Sequence, residues 1–431
     1  MEAKLQVGVL GFGTVGSGVI HILEEHQEKI SQVTGYHISV KKVLVRDLEK
    51  NRRYETKGFE LTTNPSDVLD DPEIAVVVEV MGSITTAREY ILQALKAGKH
   101  VVTANKDLIA LHGDELVAVA QANNCDLFYE ASVAGGIPIL RTIVNSLAAD
   151  KIQKVMGIVN GTTNFMLTKM TTEKKSYEDV LAEAQALGFA ESDPTNDVDG
   201  IDAARKMVIM TRLAFGMNVN LDNVETNGIR GISPEDIEVA YQLGYKIKLV
   251  GTAEETNGTV NVNVGPVLLP KAHPLAGVNY ENNAVFVTGA AVGETMFYGP
   301  GAGELPTATS VVSDLITVAK NSRLGTNGNA FNSYKHETKH TPKEQVFSKY
   351  YLRLTMDDKT GTFLKLTQIF AEAGVGFDKI LQQPYDDFTA TVVIVTHSTS
   401  QAQLEQAIAR VKDEPEMQML AKYSVVRVKY V

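Results

Sequence analysis

The sequence predicts an α/β protein with three parts: an N-terminal parallel sheet, a middle α+β region and a C-terminal βαββαβ module. Three observations predict it: a glycine-rich turn between the first strand and first helix, strands alternating with helices up to residue 130, and a self-contained strand-helix pattern beyond residue 348. A chain of 431 residues also exceeds the roughly 250 residues at which single cores stop growing.

Residues 5–10 form an apolar strand, and residues 15–30 continue with Val15, Val19, Ile22 and Leu23 at helical spacing. Between them Gly11, Gly13 and Gly16 have the G-x-G-x-x-G spacing. In a Rossmann-type domain the first glycine makes the turn, the second lets a pyrophosphate approach, and the third permits close helix packing. The loop Gly11, Phe12, Gly13, Thr14, Val15, Gly16 is therefore the expected cofactor cradle, with phosphates meeting the N–H groups of a helix N-terminus. β-Branched runs at 40–45, 74–80 and 101–103, with a helix over 86–97, complete the alternation, and this domain is expected to end at residue 130.

After the second strand come Arg46 and Asp47, with Arg52, Arg53 and Lys57 nearby. Arg46 suits the 2′-phosphate of NADP, whereas Asp47 suits the ribose hydroxyl of NAD, so NADP is favoured and NAD stays open. Lys106 follows the strand at 101–103 and belongs at the sheet edge where ligands bind, in reach of cofactor or substrate.

The second domain, 131–324, mixes helical patterns (136–148, 176–187, 201–215) with strands (152–159, 285–289), and the helix at 305–322 is suited to return to the first domain. A polar segment, 325–347, reads as a linker. The module at 348–431 then orders as strand 350–356, helix 362–373, strands 380–384 and 389–396, helix 401–412 and strand 423–428, a ferredoxin-like split βαβ.

Acidic residues crowd the approach to the helix at 201–215: Glu191, Asp193, Asp197, Asp199 and Asp202, with Lys206 one turn after Asp202 on the same face. Capping and one surface ion pair would account for part of this. The density also fits carboxylates gripping a substrate ammonium while a lysine protonates an alkoxide as hydride arrives at a carbonyl.

Composition excludes several classes. Asp and Glu number 52 against 41 Lys and Arg, a net charge of −11, which opposes nucleic-acid binding. No run approaches the roughly 18 apolar residues of a membrane span, and the N-terminus lacks a signal-peptide pattern, so a cytoplasmic location is expected. The one cysteine, Cys125, lies in an apolar stretch and reads as packing rather than nucleophile.

Together with Thr103 to Lys106, Glu130 to Pro138, Asn160 to Asn164, the block from Gly188 to Lys206 and Tyr298 to Gly303, these residues resemble homoserine dehydrogenase of the monofunctional type with a C-terminal ACT domain. The resemblance covers nearly the whole chain. It implies NAD(P)-linked interconversion of L-aspartate 4-semialdehyde and L-homoserine, on the path to threonine, methionine and isoleucine. By the same resemblance Lys206 is the proton donor, Glu191 and Asp202 contact substrate, and Lys106, Gly188 and Gly303 lie on the cofactor side. From its place at the sheet edge Lys106 is expected to reach substrate as well, and Ser83, after the strand ending near Val80, is expected to hydrogen bond the cofactor. Glu130, Val133, Gly135 and Ile137 are similar to a sodium site built mostly of backbone oxygens. A homodimer or homotetramer and a threonine effector at the ACT-type domain are further expectations.

The chain departs from the family pattern at Gly82-Ser83-Ile84, where a second glycine and a proline are frequent, and at Asp357 to Gly361, which lacks a frequent proline. Two other readings are another semialdehyde or amino-acid dehydrogenase, and a catalytically silent nucleotide sensor. A phosphorylating semialdehyde dehydrogenase needs a cysteine nucleophile, for which Cys125 is poorly placed.

Overall fold

A computed structural model describes residues 3–50, 52, 58–331 and 335–425. Arg53, Lys57 and the end of the strand expected at 423–428 lie outside the described residues. The chain divides into two compact units, residues 1–155, 205–224 and 283–337, and residues 156–204, 225–282 and 338–431. This division does not follow the succession expected from the sequence, because the polypeptide leaves and re-enters each unit.

The first unit opens with a six-stranded parallel sheet: β1 (Ala3–Leu10), β2 (Tyr36–Leu44), β3 (Glu60–Thr62), β4 (Ile74–Glu79), β5 (His100–Thr103) and β6 (Leu127–Phe128), in the order β3-β2-β1-β4-β5-β6. Order reverses between β1 and β4, which opens a crevice at their C-terminal ends. Val7, Val9 and Val76 to Val78 are fully buried, as expected of strands covered on both faces. The covering helices include α1 (Thr14–Glu25), α2 (Gln27–Thr34), α3 (Ser66–Leu69), α4 (Thr85–Lys96) and α5 (Lys106–Ala122). The single helix expected over 15–30 is thus two, broken at His26, whose φ of −106° and ψ of 17° leave the helical region.

The helix expected over 136–148 is also shorter, consisting of α6 (Ile139–Arg141) and one wide turn, Thr142–Ser146. Pro138 marks its start, and the Glu130 carboxylate takes the Leu140 and Arg141 N–H groups at 2.8 and 2.7 Å. β7 (Ile152–Ile158) follows. β11 (Asn282–Gly289), β12 (Gly293–Pro300) and the long helix α12 (Glu304–Leu324) also belong largely to this unit. Ala308, Val311, Val312, Leu315, Val318 and Ala319 form the buried stripe of α12. It packs on α1 so closely that a Cβ at Gly18 would stand 2.8 Å from the Glu304 carbonyl.

In the second unit, α7 (Gly161–Glu173), α8 (Tyr177–Ala186), α9 (Thr195–Val198) and α11 (Pro234–Gln242) accompany a long antiparallel hairpin, β9 (Tyr245–Thr256) and β10 (Thr259–Pro270). Its two-residue turn, Asn257-Gly258, has φ of 51° and 81°, the left-handed pair such turns require. α10 (Ile201–Phe215) begins in this unit and ends in the first, and β8 (Glu225–Thr226) pairs with β10.

The C-terminal module comprises β13 (Phe347–Asp357), α13 (Thr362–Glu372), β14 (Phe377–Pro384), β15 (Thr389–Thr396), β16 (Thr399–Ser400), α14 (Gln401–Lys412) and β17 (Met417–Val425). Its sheet order, β17-β13-β15-β14, is antiparallel throughout, as a split βαβ demands. Leu352, Leu354, Leu366, Phe370, Val392 and Leu404 form its own core. Asp236 on α11, fully buried, joins this module to the rest of the second unit: Arg353 reaches it from Nε at 2.7 Å, and the Tyr351 and Tyr423 hydroxyls donate at 3.2 and 3.3 Å.

The segment expected as a linker is pinned in place. Asn329 donates its N–H to buried Asp126 at 2.9 Å and its carbonyl accepts from Leu127 at 3.0 Å. Nearer its end, the Val260 N–H bonds the Lys339 carbonyl at 2.8 Å. Cys125 is 1% exposed, and burial pushes its thiol up to about 11, which removes the thiolate a nucleophile needs.

Candidate active site

The glycine loop sits at the mouth of the crevice between β1 and β4. Gly11 has φ of 111°, and a Cβ there would meet the Val80 carbonyl at 2.8 Å. Gly16 carries α1 against the turn, so that its Cβ would stand 2.2 Å from the Gly11 carbonyl. Gly13 faces open space and caps α1 without a side-chain hydrogen bond. The first N–H groups of the helix, at Thr14, Val15 and Gly16, therefore face an open cradle. Phe12 forms its wall, edge-on to Phe59 at 5.7 Å.

Arg46 is exposed directly past the end of β2. The Asp47 carboxylate is turned inward to the Glu49 N–H at 2.9 Å, and Arg52 is spent on the carbonyls of Asp47, Leu48 and Lys50. Among the described residues of this turn, Arg46 is an exposed guanidinium suited to a phosphate.

A closed ring of hydrogen bonds joins the turns after β4 and β5. Glu79, fully buried at the end of β4, accepts from Thr103 Oγ1 at 2.6 Å and from the Met81 N–H at 2.8 Å. Thr103 Oγ1 accepts from the Asn105 N–H at 3.0 Å, and Asn105 Nδ2 donates to the Ser83 carbonyl at 2.7 Å. Asn105 Oδ1 caps α5 at the Leu108 N–H, which fixes Lys106 at the first helical position. Burial raises the Glu79 pKa against the pull of these donors. Among the described residues Ser83 Oγ, a buried polar atom, has no hydrogen-bond partner, the signature of a group that takes a ligand or water.

Lys206 lies on α10, and its neighbour Arg205 stands 3.2 Å from Asp107, the residue after Lys106. Two turns on, Arg212 donates to the Ile109 carbonyl at 3.2 Å. Within the first unit α10 is thus fastened along α5, and the two lysines follow from adjacent fastened positions. Gly303, with φ of 122°, starts α12 beside α1.

In the second unit Asn160 caps α7 through Thr163 and uses its amide to join Asp197 Oδ1 at 2.6 Å and Asp202 Oδ2 at 2.9 Å. The other acids divide by task. Asp193 caps the Thr195 N–H at 3.1 Å, Asp199 takes Arg230 at 2.5 Å, and the Glu191 side chain is exposed. Gly188, with φ of 77°, ends α8 as a left-handed cap, which by itself explains a glycine there. Asp202 and Lys206 share one face of α10, one turn apart.

The loop carrying Glu130, Val133, Gly135 and Ile137 is buried and curls through two left-handed residues, Ala134 at φ 54° and Gly135 at φ 44°. A Cβ at Gly135 would meet the Gly301 carbonyl at 2.5 Å, so only glycine lets this loop nest against 299–303. Ser310 Oγ donates to the Gly135 carbonyl at 2.6 Å. Beneath it Arg141 bonds Asp314, which accepts the Glu130 N–H at 2.9 Å. Burial drives the Glu130 carboxyl up to about 7 and Asp314 up to about 8, since one guanidinium faces two acids.

Glu79, Asp314 and the amide role of Asn160 were not singled out from the sequence as site residues. A signal existed for two of them: a lone carboxylate ends the run Val76-Val77-Val78-Glu79, and another interrupts the apolar stripe of α12.

Comparison with known proteins gives a consistent result. Residues 11–130 match the pattern described as homoserine dehydrogenase, NAD binding domain, and residues 138–316 match that described as homoserine dehydrogenase. The chain is 53% identical over 411 residues to homoserine dehydrogenase of Bacillus subtilis, covering 95% of each chain. It is 44% identical to that of Lactococcus lactis, covering 98% of this chain and 99% of the relative. Among solved structures, a homoserine dehydrogenase from Thiobacillus denitrificans superposes with a TM-score of 0.94 at 38% identity, covering 99% of both. A hyperthermophilic archaeal homoserine dehydrogenase in complex with NADPH matches at a TM-score of 0.62 and 29% identity, covering 73% of this chain and 97% of that one.

Proposed function

The chain belongs to the homoserine dehydrogenase family, oxidoreductases with a nicotinamide-dinucleotide-binding domain, and we propose that within it Lys206 is the proton donor. The bound dinucleotide supplies the hydride. As the aldehyde carbon of aspartate semialdehyde becomes an alcohol, Lys206 Nζ gives the carbonyl oxygen its proton, and in the reverse direction it takes that proton back. Asp202, held by Asn160, and Glu191 orient the substrate through its ammonium group. The observation that carries this reading is the hold on Asp202: Asn160, which caps α7, donates to its carboxylate at 2.9 Å, and Lys206 follows one turn later on the same helix.

On the cofactor side, Gly11 to Gly16 receive the pyrophosphate, Ser83 Oγ and Lys106 meet the nicotinamide half, and Gly188 and Gly303 allow close approach. Arg46 selects NADP. Replacing it by alanine is expected to raise KM for NADPH at least about tenfold, roughly 1.4 kcal/mol, and to leave NADH almost unchanged. Equal loss with both cofactors would overturn the assignment.

The buried loop from Glu130 to Ile137, curled through left-handed Ala134 and Gly135, is read as the seat of a hard monovalent cation such as sodium, held mostly by backbone oxygens. The βαββαβ module is read as an ACT-type site for threonine, and the assembly as a dimer or tetramer in the cytosol. Among the described residues no helix is long and apolar enough to cross a membrane. An assay of NADPH oxidation with aspartate semialdehyde separates this reading from the two others: turnover with this substrate supports it, turnover only with a different semialdehyde replaces the substrate, and cofactor binding without turnover indicates a sensor.

A further inference from the structure

Lys246 and Lys248 stand two residues apart on β9 and both line a cavity of about 650 Å³ bounded by the end of α7, by α11 and by β9. Lys248 is 2% exposed. Its Nζ donates to Asn164 Oδ1 at 2.9 Å, Thr168 Oγ1 at 3.2 Å and the Val278 carbonyl at 2.7 Å. Lys246 Nζ donates to the Ala276 carbonyl at 3.1 Å. Among the described residues these partners are all neutral oxygens. The Glu238 carboxylate on the cavity wall is taken by Lys174 at 3.3 Å and by Gln242 at 3.1 Å, and Glu235 is exposed.

Buried ammonium groups are ordinarily paired with an anion, because three neutral hydrogen bonds do not replace the hydration of a full charge. Here a buried and a half-buried ammonium of like sign face one cavity, and among the described residues no carboxylate pairs with either. We propose that this cavity binds a compact oxyanion, a carboxylate or phosphate group, whose charge Lys246 and Lys248 neutralise. Burial and the neighbouring Lys246 charge pull the Lys248 amine down to about 7, so an arriving anion also restores its ordinary protonation. None of Lys106, Glu191, Asp202 and Lys206 lines the cavity, so it is separate from the chemistry above. Its wall, α11, is the helix whose Asp236 holds Arg353 of the βαββαβ module, which places the ligand against that joint.

The test is the thermal unfolding midpoint of the full chain, saturated with NADPH so that the glycine loop is filled, titrated with phosphate, succinate or chloride at matched ionic strength. Phosphate or succinate is expected to raise the midpoint saturably and chloride to do so only weakly; the oxyanion with the lower half-saturating concentration identifies the group. Lys246→Ala is expected to raise that concentration at least about tenfold while turnover is kept. Lys248→Met is expected to abolish the response; if it does not fold, the partly exposed Lys246 variant decides alone. A rise no greater than that with chloride, or a Lys246→Ala response equal to that of the unaltered chain, overturns the proposal.

Discussion

Glu79→Ala is the perturbation that most directly separates positioning from bulk stability in the cofactor domain. Truncation leaves the Thr103 hydroxyl, buried, and the Met81 N–H, half-buried, now 2.6 and 2.8 Å from a carboxylate oxygen, without that acceptor. Each orphaned donor costs about 1–3 kcal/mol, or about 2–6 kcal/mol for both. Removing a carboxyl whose charged form is already disfavoured by burial returns part of that, so the expected loss is about 2–4 kcal/mol. Glu79→Gln keeps an acceptor for Met81 but presents an amide to Thr103 Oγ1, which already accepts from Asn105; the expected loss is about 1 kcal/mol. Urea unfolding measures both. Because the ring also fixes Ser83 and Lys106, KM for NADPH is expected to rise about tenfold in Glu79→Ala and less in Glu79→Gln, with kcat falling less than KM rises. An alanine variant within about 0.5 kcal/mol of the unaltered chain, or one destabilised with KM unchanged, would refute the reasoning.

Two further outcomes are expected. Asp236→Ala strands a buried guanidinium and should cost about 3–5 kcal/mol in urea unfolding, whereas Asp236→Leu combined with Arg353→Met should cost distinctly less; equal losses would contradict the pairing. Lys248 has a folded pKa of about 7 against 10.5 when exposed, so its stability contribution is full above the exposed value and is lost as pH falls toward 7. In the absence of oxyanions, unfolding measurements should therefore show stability rising between pH 7 and 10, a slope that Lys248→Met flattens; an unchanged slope would place the titration elsewhere.

Local signals carried much of the fold. The glycine spacing, the alternation of β1 to β5 with helices and the βαββαβ order were legible because each is set by neighbours in sequence. The β9 and β10 hairpin carried its signal in Asn257-Gly258 yet was not read, since its apolar pattern is broken by Lys246, Lys248 and Thr252. The division into interleaved units was illegible for a different reason: it depends on long-range packing, such as Gly18 against Glu304, that no local pattern encodes. In the site, chemistry showed in residue types, so Lys206 and its acids stood out. The parts that hold them did not, because Asn105, Asn160 and Glu79 act through hydrogen bonds to residues 22 to 42 positions away.

The role of Lys206 is tested most directly by Lys206→Ala, measured both for turnover of aspartate semialdehyde with NADPH and for NADPH affinity by fluorescence titration. Loss of the proton donor is expected to lower kcat at least about a hundredfold while the dissociation constant of NADPH stays within about threefold. Near-normal turnover, or a collapse of NADPH binding that accounts for the lost rate, would contradict the assignment.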